Sequence, residues 1–329
     1  MNQNDPVFDH SFHRGLLHPK HWGAWLGVAF LHLLGYLPAT VRDHLGDWLA
    51  PLVVRFSKKQ CYIARTNLGI CFPELSDEQR EALLLKCVRV GIKTFAAFGE
   101  LSVRSAQSLE ARTQVTGWQH VEQAKAAGKS VIFVVPHTWA IDFCGRIIDN
   151  RKTLFMSTMM KSAKSAVFDR YINRERARNG AKIYERSAGL KPIIKHLKQA
   201  GSGFYYLPDQ DHGREASLFV PFFGMLKATL PALPRLCRLT GAAPLMMLAA
   251  YNEDLHRYEL VIEPLPEGYP SEDLEHDTLV MNQAVESLLS RYPEQYMWFL
   301  KIFHTRPDTR EGYYEAGIHR VRGYIKQSK

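Results

Sequence analysis

The chain predicts an α/β protein with a central mixed sheet flanked by helices, preceded by an N-terminal membrane-anchoring helix. Three observations carry this expectation. From about residue 130, short apolar runs alternate with helical stretches: "SVIFVVP", "TLFMSTMM", "AKIYE", "GFYYLP", "APLMMLAAY" and "YELVIEP". Runs of this length rich in Val, Ile, Tyr and Phe read as buried strands, and their alternation with helices is the signature of an α/β layer. Residues 49–102 instead place apolar and basic positions at a helical period. Ahead of both lies a mostly apolar run at 23–41.

That first run, "GAWLGVAFLHLLGYLPATV", is nineteen residues long and broken only by His32 and Pro38. A bilayer-spanning helix needs about 20 residues, so the run is expected to anchor the chain. Trp22, Trp25 and Tyr36 sit near its ends, where amphipathic aromatics favour the interface. The preceding residues include Asp5 and Asp9, and no clear small-x-small cleavage site follows; a cleavable signal peptide fits less well than an anchor. The expected organisation is a tail and anchor over 1–44 and one α/β domain over 45–329, without internal repeats or low-complexity linkers.

In 49–102, Pro73 punctuates the helices and Ser76 with Gln79 forms a capping-box pattern. Arg55, Lys58, Lys59 and Arg65 are placed either against anionic headgroups or on a solvated face. Five cysteines, an odd number with no Cys-x-x-Cys pair, suit reduced thiols better than a disulfide framework or a zinc site. The expected side for the catalytic part is therefore cytosolic.

Net charge is +9, yet residues 151–198 alone carry thirteen Lys/Arg against three Asp/Glu. The excess is thus confined to one segment, which suits an anionic ligand or a solvated helix face. Nucleic acid is the weakest partner, because no groove-reading or single-strand module is present. G-x-S-x-G, P-loop and G-x-G-x-x-G patterns are also missing, which argues against a serine-hydrolase elbow, a P-loop nucleotide site and a dinucleotide fold.

Attention then falls on His137, directly after the run ending in Val135 and Pro136, with Asp142 five residues on. Ligands of α/β sheets gather at the carboxyl ends of strands. With Thr138 as N-cap, Asp142 enters the first turn of the next helix and can reach back to the imidazole. A carboxylate on one ring nitrogen fixes the tautomer, so the other can take a proton from a hydroxyl. The spacing alone is a weak pattern, and a structural histidine has the same look. Asp209 occupies the equivalent place after "FYYLP".

Arg174, Arg176 and Arg178 stand two apart, so at most one or two of them face a common site on a helix. Arginine forks suit phosphate oxygens and developing negative charge. Asp209, Asp211 and His212 in "PDQDHG" look like metal ligands at first sight. They read better as carboxylates that position an arginine or a substrate group, with no metal and no cofactor.

Several spaced segments occur in order: "HPKHWGAWLGVAF", "RTNLGICFPELSDEQR", "HTWAID", "YYLPDQDHG", "FVPFFG", "KATLPA" and "PEQYMWFLKIFHTRP". Through them the chain resembles, almost end to end, the late acyltransferases of lipid A biosynthesis, the lauroyl/myristoyl transferase family of Gram-negative inner membranes. Asp142, "WGAWLGVA" and "KATLPA" make it more similar to the myristoyl-type branch that acts last. The resemblance implies a glycerolipid-acyltransferase-like fold and transfer of a fatty acyl chain from acyl carrier protein to a hydroxyl on a 3-hydroxyacyl chain of a Kdo-bearing lipid A precursor. It also implies His137 as general base with Asp142, together with Arg176 and Asp209, as the catalytic set. Arg174, Arg178, Asp211 and Lys227 are the expected substrate-binding residues, and the membrane is the expected site of action. His304 stands where the family often has lysine. A glycerolipid acyltransferase with another acceptor and a non-enzymatic lipid or carrier binder remain the alternatives at this level.

Overall fold

The structure, a computed structural model, describes residues 7–9, 11–308 and 313–314. Four helices open it: α1 (Trp22–Tyr36), α2 (Ala39–Phe56), α3 (Lys58–Cys71) and α4 (Asp77–Ala97). Proline explains the first break. Pro38 removes a backbone donor and restricts the residue before it, so α1 stops and α2 begins immediately after. At the start of α4 the capping box forms as read, with Gln79 N on Ser76 Oγ at 3.2 Å and Ser76 N on Gln79 Oε1 at 2.7 Å.

The expected anchor over 23–41 is therefore not one continuous helix. At 15 residues α1 is about 22 Å long, short of a hydrocarbon core of about 30 Å. Among the described residues no helix is long and apolar enough to cross a membrane. The boundary expected at 44/45 falls within the continuous helix α2.

Short helices α5 (Glu100–Val103) and α6 (Ala106–Ala111) lead into strand β1 (Thr113–Thr116) and helix α7 (Trp118–Ala126). The alternating frame follows: β2 (Val131–Val134), α8 (Ile141–Arg151), β3 (Phe155–Met160), α9 (Ala166–Arg176), β4 (Lys182–Glu185), α10 (Lys191–Leu197) and β5 (Ser202–Tyr206). A hairpin, β6 (Leu218–Phe222) and β7 (Met225–Thr229), precedes α11 (Ala232–Thr240), β8 (Ala243–Asn252), β9 (Arg257–Pro264) and α12 (Leu274–Arg291).

Seven strands form one mixed sheet in the order β1-β9-β8-β2-β5-β3-β4, and only the β8–β9 pair is antiparallel. All six strands expected from the apolar runs are present. β1 and the β6–β7 hairpin were not anticipated: "TQVT" is a polar edge strand, and Pro221 demotes its own run. The sheet is covered on both faces. In β2, Ile132 and Val134 join one apolar cluster while Val131 and Phe133 join the other, as the two-residue period of a strand requires.

Helix α1 seats against the domain backbone to backbone. A Cβ at Gly99 would lie 1.8 Å from the Leu31 carbonyl oxygen, and one at Gly35 would lie 2.6 Å from the Gly99 carbonyl carbon. We expect Gly99→Ala to cost about 1–3 kcal/mol and lower the melting temperature by several degrees. An unchanged thermal transition would show that α1 does not dock there.

Candidate active site

Strands β2 and β5 lie side by side in parallel, with Val134 opposite Tyr206. One further ladder bond, Val135 N to Tyr206 O at 2.8 Å, extends the pair before each chain meets a proline, Pro136 or Pro208. Proline cannot donate to a ladder and ends the pairing. The next residues are His137 and Asp209, each three positions past its paired strand end. The equal offset brings them together.

Both Asp209 oxygens are used on His137. Oδ1 lies 2.5 Å from ring Nδ1, and Oδ2 accepts the His137 backbone N–H at 2.8 Å. Asp209 is buried, which raises its carboxyl; the charge of the imidazole and the two hydrogen bonds outweigh burial and hold it below the usual range. With Nδ1–H donating to Asp209, the lone pair of Nε2 is free to act as a base. Gln210 faces that nitrogen, with its Nε2 at 3.2 Å.

The orienting carboxylate is thus Asp209, whereas the sequence reading gave that role to Asp142. Helix α8 begins only at Ile141, with Ala140 rather than Thr138 in the cap position and no side-chain cap. Asp142 instead grips Arg176, at 2.5 Å to Nε and 3.1 Å to Nη2. Arg176 also places Nη1 3.1 Å from Met160 Sδ.

His137, Asp142, Arg176 and Gln210 all line one cavity of about 500 Å³. Its wall on α8 is formed by Ile141, Asp142, Gly145, Arg146 and Asp149, which share one helix face. Met156, Met159 and Met160 of β3 and Phe204 and Tyr205 of β5 make the rest largely apolar. The Tyr205 hydroxyl donates to the Ile141 carbonyl at 2.9 Å and fixes the start of α8 against the sheet. Deeper along α8, buried Arg146 pairs with Glu175 of α9.

The other expected residues are elsewhere. Arg174 is exposed, and Arg178 donates to the carbonyls of Leu101 and Ser102 at 2.7 and 3.1 Å. Asp211 accepts from Thr305 N at 2.6 Å and Thr305 Oγ1 at 2.8 Å, clamping the loop rather than facing the cavity. His212 does line the cavity, where it meets Arg186 at 2.5 Å, so Asp209, Asp211 and His212 serve three different partners. Lys227 is 1% exposed and absent from the cavity wall. Burial pushes its ammonium down to about 8, partly opposed by Asp209 and Asp211.

Gln210 and the strap 293–305 were missed as site components. Met297 N donates to the His137 carbonyl at 2.8 Å, and Trp139 N donates to Gln295 O at 3.0 Å. Asn67 donates to the carbonyls of Trp298 and Leu300 at 2.6 and 2.7 Å and ties the strap to α3.

The family model described as bacterial lipid A biosynthesis acyltransferase matches residues 10–305. A lipid A biosynthesis acyltransferase of Haemophilus influenzae is 38% identical, over 93% of this chain and 95% of its own length. The lipid A biosynthesis myristoyltransferase of Escherichia coli is 35% identical over 92% of this chain and 91% of its own. The Escherichia coli lauroyltransferase of the same process is 31% identical over 90% and 96%.

A carboxyl held low in the folded state stabilises above its unfolded value of about 3.9 and loses that contribution as the pH falls through the folded value. Urea unfolding of Asp209→Asn should therefore show a stability deficit at neutral pH that shrinks under acid conditions. A deficit of the same size at every pH would contradict the ionised pairing.

Proposed function

The chain belongs to the family of bacterial lipid A biosynthesis acyltransferases, and from that premise we propose the following reaction. The enzyme transfers a fatty acyl chain from an acyl carrier protein thioester to the hydroxyl of a 3-hydroxyacyl chain on a Kdo-bearing lipid A precursor. One observation carries the reading: His137 opens onto a largely apolar cavity with its Nδ1 held by Asp209. An apolar cavity suits a hydrocarbon chain, and a base at its wall suits a hydroxyl to be activated.

Nε2 of His137 takes the proton as the hydroxyl oxygen attacks the thioester carbonyl. When the tetrahedral intermediate collapses, the C–S bond breaks and the thiolate recovers that proton. General-base catalysis contributes about 10² to 10⁴ in rate, so charge stabilisation must supply more. Arg176, aligned by Asp142, presents fixed positive charge to an anionic part of either substrate.

The enzyme acts at the inner membrane with its catalytic domain on the cytoplasmic side. Supporting this, Trp22, Leu26, Phe30, Leu33 and Tyr36 of α1 are exposed, as are Val41, Leu45, Trp48, Leu49, Leu52 and Phe56 of α2. Each set recurs at three- and four-residue intervals, the stripe of a helix lying in an interface. Arg55, Lys58 and Lys59, exposed at the end of this pair, match anionic headgroups.

Incubation of purified protein with the precursor and a mixture of carrier-protein thioesters should give, by mass spectrometry, a lipid heavier by one or two ester-linked acyl chains. Folded His137→Ala should reduce transfer at least about 100-fold, and Asp142→Ala should also lose transfer. Unchanged lipid with released fatty acid would point to a hydrolase or another acceptor. In vesicle flotation with anionic lipid, a Leu26→Glu, Phe30→Glu, Trp48→Glu variant should stay at the bottom while the wild type floats. Equal flotation would remove α1 and α2 as the membrane face.

A further inference from the structure

Acyl transfer through a tetrahedral intermediate needs a donor aimed at the oxyanion. The backbone amides of residues 137–139 are occupied: His137 N on Asp209 at 2.8 Å, Thr138 N on Pro136 O at 2.7 Å and Trp139 N on Gln295 O at 3.0 Å. Arg176 spends three of its five N–H groups, Nε and Nη2 on Asp142 and one on Nη1 against Met160 Sδ. Gln210 is placed differently. Its amide nitrogen rests 3.2 Å from His137 Nε2 and on the cavity wall. In the neutral imidazole, with Nδ1–H donating to Asp209, Nε2 is an acceptor and the Gln210 amide nitrogen beside it donates its N–H.

This contact cannot survive the reaction, since the hydroxyl to be activated needs the same lone pair. The Gln210 backbone is held between two anchored neighbours, Asp209 on His137 and Asp211 on Thr305. Its side chain is then the part that moves, and a short pivot keeps the N–H beside the reacting carbonyl.

Resting on the acyl-transfer reading above, we propose that the Gln210 side-chain amide masks the base in the resting enzyme and becomes the oxyanion donor once the acceptor hydroxyl displaces it. The hydroxyl proton passes to Nε2 as the oxygen lone pair forms the C–O bond. The carbonyl π pair moves onto oxygen, where the Gln210 N–H donates to it. On collapse that pair re-forms C=O, the C–S pair leaves with sulfur, and the thiolate takes the proton from Nε2.

The test is steady-state transfer to the lipid precursor, with binding of two inhibitors: a tetrahedral phosphonate analogue of the intermediate and an unreactive thioether analogue of the thioester. Gln210→Ala should lower kcat about 100-fold or more with KM little changed, as loss of one oxyanion donor does. It should weaken the phosphonate by a similar factor and leave the thioether unaffected, since only the tetrahedral species uses this donor. Gln210→Glu, which turns a carboxylate toward the oxyanion, should be slower still, and Gln210→Asn guards against a folding defect in either variant. A folded Gln210→Ala enzyme with kcat within about threefold of wild type, or equal weakening of both analogues, overturns the assignment. Absence of transfer by the wild type instead overturns the acyl-transfer reading, and this role with it.

Discussion

A buried carboxylate cannot remain ionised without compensation, and Asp209 gains most of that compensation from His137, with a further hydrogen bond from Tyr296. Both of its oxygens bind His137, one at the ring and one at the backbone. This double contact fixes the position of the loop after β2, the rotation of the imidazole and the nitrogen that faces the cavity and Gln210. It is possible only because β2 and β5 are adjacent and parallel. Residues that leave neighbouring parallel strands at the same offset emerge side by side, so sheet order sets the dyad before any side chain is chosen.

Around it the chain builds restraints from distant segments. The strap 293–305 holds the His137 carbonyl and the Trp139 amide, while its Thr305 donates to Asp211. Asn67 of α3 then holds the strap itself. These are backbone hydrogen bonds donated or accepted by polar groups that are buried or partly buried, and leaving any one unmade carries a desolvation cost. The sequence "PEQYMWFLKIFHTRP" therefore acts in large part through its main chain, and to that extent its residue types give no hint of the task.

The strand frame was legible because buried parallel strands are continuous apolar runs, and Asp209 was visible at the same offset as His137. Its pairing was not, because strand adjacency is a property of the sheet and not of spacing. Asp142 looked closer to His137 in sequence, but the helix starting at Ile141 turns it toward Arg176. Lys227 is an expected substrate-binding residue that the fold buries away from the cavity; its burial depends on how the β6–β7 hairpin packs, and Pro221 obscures that hairpin. Hydropathy could not separate a spanning segment from a broken pair. Both are apolar, and the deciding details are Pro38 and the glycine contact at Gly35 and Gly99.

The same helix pair links the apolar surface to the chemistry. Helix α1 turns Leu26, Phe30 and Leu33 outward and buries Val28 and Leu31 against Val167 and Tyr171 of α9. Helix α9 ends at Arg176, on the cavity wall. Whatever covers the outer face of α1 thus sits one helix away from the arginine that Asp142 aligns. The backbone-to-backbone contact between Gly35 and Gly99 admits no side chain, so α1 has little freedom to slide. A rigid seat of this kind fixes the apolar surface of α1 relative to α9 and its Arg176 in one orientation. A long spanning helix joined by a flexible linker would leave that orientation free.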